Sequence, residues 1–146
     1  MRKLGCSIGT LPGKDIFEQI EEIKKAGFDS TFFSWTNKQN AIAITEKANA
    51  LGLEVEGIHA PFHKSNSVWV EGDDGDEYIE ELRACINTAA KLHIPVVIIH
   101  TSLGTDVPKT SPIGLVRFRK IIIEAERKGV KLAFENTEII RHLSLI

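Results

Sequence analysis

Short apolar runs recur along the chain at residues 4–8, 31–35, 55–59, 96–100 and 131–135, separated by longer stretches in which apolar positions return every third or fourth residue. The runs read as β-strands. Val96-Val97-Ile98-Ile99 is continuous and β-branched, the pattern of a strand covered on both faces as parallel sheets require. The stretches between them read as helices. Ile16, Ile20 and Ile23 lie on one face, as do Ala41, Ile44, Ala48 and Leu51, then Ile79, Leu82 and Ile86. A fourth helix is predicted over residues 115–128, with Phe118, Ile121, Ile122 and Ala125 on its apolar side. Strand and helix therefore alternate throughout.

The junctions repeat as well. Lys25-Ala26-Gly27-Phe28, Ala50-Leu51-Gly52-Leu53 and Arg127-Lys128-Gly129-Val130 each close a helix with a glycine and open a strand with an apolar residue. At the remaining junction, Lys91-Leu92-His93-Ile94-Pro95, His93 stands where the others have glycine. Strand starts at 4, 31, 55, 96 and 131 are 27, 24, 41 and 35 residues apart, lengths that suit βα units with right-handed crossovers. The longest unit holds an extra segment over residues 64–76. Its acidic, turn-rich Glu71-Gly72-Asp73-Asp74-Gly75-Asp76 is expected to be a solvated loop, since the ligand register of an EF-hand calcium loop is absent.

Two α/β architectures begin with this alternation: a five-stranded, flavodoxin-like doubly wound sheet, and part of a (βα)8 TIM barrel. The length of 146 residues favours the first, because a barrel takes about 250. The segment after the fifth strand favours the second. Residues 139–146 allow about two helical turns, too little to cover a doubly wound sheet. No G-x-G-x-x-G or Walker A motif marks a nucleotide site. The expectation is one domain, residues 1–146, holding about five βα units of a barrel and stopping after the fifth strand.

Composition narrows the functional classes. Apolar residues make up 42% and charged residues 26%, with a net charge of −2, so no basic footprint for nucleic acid is present. No apolar run approaches the roughly 20 residues of a membrane span, and residues 1–6 lack the apolar stretch of a secretory signal, which points to the cytoplasm. Cys6 and Cys85 have no CxxC spacing and are expected to be small buried hydrophobes.

Three strands end in groups that bind metals or move protons: Ile58-His59-Ala60, Ile99-His100-Thr101 and Phe134-Glu135-Asn136. Strand ends of a parallel sheet share one rim, so His59, His100 and Glu135 are expected to converge there. Imidazole with carboxylate suits Zn, Mn, Fe or Co, and the expected cofactor is a divalent metal ion, Mn, Zn, Mg or Co. Singly, each has a plainer role, the histidines as hydrogen-bonded structural residues and Glu135 with Asn136 as a helix cap.

The segments Gly57-Ile58-His59-Ala60-Pro61-Phe62, the strand end at His100, and Lys131-Leu132-Ala133-Phe134-Glu135-Asn136-Thr137 resemble strands three, four and five of the xylose isomerase-like TIM barrels. That family includes sugar-phosphate isomerases and epimerases and the endonuclease IV type of DNA-repair enzyme. The resemblance implies a metal-dependent sugar isomerase or epimerase with Glu135 as catalytic residue and metal ligand. It implies His59 and His100 as ligands or pocket residues, and strands six to eight as the source of the remaining ligands. Substrate contacts are expected from His59, His100, Asn136 and Trp35, the last equally suited to packing. Phe62 and Trp69 edge the pocket or pack in the core, and His63 and Lys64 meet a phosphate or solvent. His93 and His142 are read as structural. Two other functions stay open: an endonuclease IV-like phosphodiesterase, and a non-catalytic fragment whose self-association covers its exposed sheet edges.

Overall fold

The computed structural model describes residues 3–135 apart from 10 and 105. Five strands alternate with four helices: β1 (Gly5–Ser7), α1 (Ile16–Lys25), β2 (Ser30–Ser34), α2 (Lys38–Ala50), β3 (Glu54–His59), α3 (Asp73–Lys91), β4 (Val96–His100), α4 (Pro112–Arg127) and β5 (Lys131–Glu135). A 3-10 helix, Ser65–Trp69, lies between β3 and α3. All strands are parallel and pair in chain order, β1-β2-β3-β4-β5. This order decides between the two architectures. A doubly wound sheet reverses its strand order at a switch point, whereas a barrel adds each strand beside the last. The flavodoxin-like alternative is therefore excluded, and the sheet is five strands of a partial TIM barrel.

Local chemistry starts and stops the helices where the sequence pattern places them. Asp15 caps α1 through a capping box, accepting from the Phe17 and Glu18 amides while Glu18 accepts from the Asp15 amide. Asn37 and Ser111 cap α2 and α4. Ile20, Ile23, Ala41, Ile44, Ala48, Ile79, Leu82, Ile86, Phe118, Ile121 and Ala125 are buried between the helices and the sheet, with Phe33, Ile58, Val97 and Ile99 beneath them. Ile16 stays 37% exposed, because as the first residue of α1 it lies at the edge of this layer. The sheet differs from expectation on its other face. Val96 and Ile98 alternate with buried Val97 and Ile99 and are only half-buried, since no described element covers that side of β4.

The acidic segment is also different. Asp73, Asp74 and Asp76 form the first turn of α3, not a solvated loop. Three carboxylates there face the positive end of the helix dipole, and the Asp76 carboxylate pairs with Arg117, which holds its pKa below the usual range.

The helix-to-strand junctions follow one geometry. Gly27, Gly52 and Gly129 have φ of 86°, 71° and 71°, and His93 adopts φ 57° at the equivalent position. His93 thus takes a left-handed conformation that costs a side-chain-bearing residue about 1–2 kcal/mol. His93→Gly removes that strain at an exposed site while loosening the unfolded chain. It is expected to raise stability by a net of about 0.5–1 kcal/mol, read as a higher urea midpoint at unchanged slope.

Candidate functional site

Strand register assembles the site. His100 on β4 lies directly opposite Glu135 on β5, and His59 on β3 lies opposite Ile98, two residues before His100. Side chains alternate along a strand, so His59, Ile98, His100, Ala133 and Glu135 all project to the face the helices leave open. At the carboxyl ends of the strands the functional atoms meet. The Nε2 atoms of His59 and His100 are 2.8 Å apart, and Glu135 Oε2 lies 3.6 Å from the first and 3.3 Å from the second. Among the described residues this is the one cluster of three histidine, cysteine or acidic side chains able to share an ion.

Each ring has a distinct environment. His59 is half-buried, and its Nδ1–H donates to the Ala60 carbonyl at 3.0 Å, which leaves Nε2 with its lone pair toward the cluster. His100 is 7% exposed. Burial depresses its pKa, the His59 ring adds to the depression, and the Glu135 carboxylate opposes it. The neutral imidazole so favoured is the form that ligates metals. With the His59 proton on Nδ1, His100 Nε2–H donates to the bare Nε2 of His59, and His100 Nδ1 is buried without a hydrogen-bond partner. The donor set, two imidazole nitrogens and one carboxylate oxygen converging from three strands, fits a divalent transition ion.

An open cavity of about 690 Å³ surrounds the cluster, lined by Phe32, His59, Phe62, Ile98, His100, Ala133, Phe134 and Glu135. It matches the size of small-molecule sites. Phe62, 41% exposed, packs edge-on to His59 at 5.5 Å and tilted against His100 at 5.2 Å. Glu135 leaves half its side chain open to this space.

The structure does not bring every expected residue to the cavity. Trp35 packs half-buried against the core, its amide donating to the His59 carbonyl at 2.8 Å, and it is not among the lining residues. Trp69 sits against Phe118 with ring centroids 5.3 Å apart. His63 faces Glu81 at 3.8 Å, and Lys64 is held by Asp74 and Glu77, whose hydrogen bonds and charge raise its pKa. Asn136 and His142 lie outside the described residues. Cys85 is buried, its thiol pushed up to about 12 by desolvation, and Cys6 is half-buried.

Arg117 is the residue that the sequence pattern conceals. It is 3% exposed on α4 and donates to the carbonyls of Ser67, Val68, Val70 and Gly72 and to the Asp76 carboxylate. The signal that finds it is spacing: Arg117 stands four residues before Ile121 and eight before Ala125, on the buried face.

Comparison with known proteins places this geometry. Solved structures with the same fold include a D-tagatose 3-epimerase-like protein, with TM-score 0.74, 21% identity, and coverage of 96% of this chain and 55% of the other. D-psicose 3-epimerase from Clostridium cellulolyticum H10, solved with D-tagatose, gives TM-score 0.69 at 15% identity, with 90% and 51% covered. AP endonuclease, family 2 from Brucella melitensis gives 0.75 at 13% identity, with 92% and 55% covered. The chain thus spans about half the length of the structures it matches. At such identities the likeness establishes the fold. No curated protein matches. Residues 20–141 match the family described as xylose isomerase-like TIM barrel, and the chain, with five parallel strands paired in barrel order, belongs to that family.

Proposed function

We propose that this chain supplies the β3 to β5 rim of a metal-dependent sugar isomerase or epimerase site. The observation that carries the reading is the convergence of His59 Nε2, His100 Nε2 and Glu135 Oε2 at the mouth of the cavity. These residues would hold a divalent ion, Mn, Zn, Mg or Co, which when bound would supply Lewis-acid stabilisation of charge developing on a sugar carbonyl oxygen. His59 serves in one fixed tautomer because Ala60 holds its Nδ1 proton. Glu135, half open to the cavity, would offer one carboxylate oxygen to the ion and take the proton from the carbon beside that carbonyl onto its carboxylate, where it exchanges with solvent before one is returned to that carbon. Phe62 and Ile98 give the cavity an apolar wall that suits the C–H face of a sugar and keeps water from the imidazoles.

Sugar chemistry is favoured over phosphodiester cleavage, although a family 2 AP endonuclease shares the fold. The net charge of −2 gives no counterpart to a phosphate backbone, and Lys64, the cation that follows the β3 turn, is neutralised by Asp74 and Glu77.

Two measurements test this. Mn2+, Co2+ or Zn2+ at saturation is expected to raise the melting temperature of the chain by roughly 5 °C or more. Incubation of the ion-loaded protein with D-fructose or D-tagatose in D2O is expected to place deuterium on the carbon next to the carbonyl, an exchange lost in Glu135→Ala. A melting curve unmoved by all three ions overturns the metal reading, and cleavage of abasic-site DNA without sugar exchange reverses the choice of substrate.

A further inference from the structure

The loops that carry His59 and His100 away from the sheet are tied together by hydrogen bonds that the proposed chemistry does not use. Trp69 Nε1–H donates to the carbonyl of Thr101, the residue after His100, at 2.7 Å. The Asn66 amide grips Leu103 twice, Nδ2 donating to its carbonyl at 2.7 Å and Oδ1 accepting from its N–H at 2.8 Å. Ser111 at the start of α4 returns a bond from its hydroxyl to the Trp69 carbonyl at 2.5 Å. On the β3 side, the buried Tyr78 hydroxyl donates to the Pro61 carbonyl at 2.7 Å. The indole packs closely on one face of α4: a Cβ on Gly114 would sit 2.2 Å from it, and the Phe118 ring, one turn on, lies 5.3 Å away between centroids.

The His100 ring lacks the support that usually orients a metal-binding imidazole. Such a ring donates its second N–H to a carboxylate or carbonyl, as His59 does to Ala60. His100 Nδ1 has no hydrogen-bond partner. Beyond the Nε2 contacts within the cluster itself, the direction of its ring is therefore set by the backbone that bears it and by its packing on Phe62 and His59. We propose that Trp69 and Asn66 are positioning residues for His100, holding the backbone at Thr101 and Leu103 so that Nε2 points at the shared site. This rests on the metal reading above.

Trp69→Phe removes one N–H and keeps an aromatic ring packed on Gly114 and Phe118 of α4. Asn66→Asp keeps the acceptor for the Leu103 amide and sets a carboxylate oxygen against the Leu103 carbonyl. Both variants of the full chain are titrated with Co2+ by visible absorption, and the ion-free proteins are melted in parallel. Affinity is expected to fall about tenfold in each, the scale for losing a supporting partner of a ligand, with a changed absorption band. Phe118→Leu loosens the same packing and leaves these hydrogen bonds intact. It is expected to lower the melting temperature while keeping wild-type Co2+ affinity. Wild-type affinity and spectrum in Trp69→Phe, or an equal loss of affinity in Phe118→Leu, overturns the proposal. If the wild-type chain binds no Co2+, the metal reading fails by itself, and the histidine ring 15N spectrum decides the positioning role. A His100 signal shifted or broadened by Trp69→Phe supports it, and an unchanged one overturns it.

Discussion

Arg117→Met is expected to cost about 3 kcal/mol or more of folding free energy, read as a lower urea midpoint. Methionine matches much of the arginine volume, so the loss isolates the hydrogen bonds rather than a cavity. The carbonyls of Ser67, Val68, Val70 and Gly72 accept from this one guanidinium at 2.7 to 3.3 Å, and only Ser67 keeps a second named donor, the Val70 amide at 3.2 Å. Each acceptor left without a partner costs about 1–3 kcal/mol when fully buried; access of water to part of the loop brings the total down toward the figure above. The ion pair with Asp76 is the lesser component, because the Asp76 side chain is 73% exposed and solvent screens it. Asp76→Asn is accordingly expected to leave the urea midpoint near that of the wild type. Arg117→Lys keeps the charge and loses the planar fork, so it is expected to recover only a minor part of the loss. Equal effects of Arg117→Met and Asp76→Asn would show that the ion pair, not the carbonyl clasp, is what matters.

This clasp explains why part of the chain was legible from its sequence and part was not. The alternation of strands and helices follows from short apolar runs and from apolar positions returning about every 3.6 residues, because buried faces impose both; the order of the strands does not, since both candidate architectures share that alternation, and only the pairing separates them. His59, His100 and Glu135 were visible because equivalent strand ends of a parallel sheet must share a rim. Residues 60–72 obey neither rule. They make a 3-10 helix whose carbonyls are satisfied by a side chain some 45 to 50 residues away in sequence, and no local pattern records that. Arg117 reads as a solvated charge on an amphipathic helix, and only its register with Ile121 betrays burial. The acidic turn belongs to α3 although Gly72 and Gly75 suggest a loop. Gly75 is instead required by packing, since a Cβ there would lie 2.2 Å from an Arg117 nitrogen. Trp35 and Trp69 share a composition signal that says aromatic and nothing about which wall each faces.

His59→Ala is expected to weaken Co2+ binding by more than about 100-fold, beyond the loss caused by removing a mere supporting partner, yet to change the melting of the ion-free chain little. The two effects separate because they depend on different groups. In the ion-free protein the half-buried ring contributes one hydrogen bond to the Ala60 carbonyl and one acceptor for His100, and neither anchors the core. With an ion bound, the same ring is one of only three protein donors among the described residues, so its loss removes a bond that nothing nearby replaces. The 100-fold change corresponds to about 2.7 kcal/mol, large against the net worth of about 0.5–1.5 kcal/mol of an ordinary intramolecular hydrogen bond. Isothermal titration with Co2+, alongside melting of the ion-free variant, measures both. A variant that loses thermal stability in step with affinity would make His59 a structural residue of the rim. One that keeps its affinity would leave Glu135 and His100 too few to define the site.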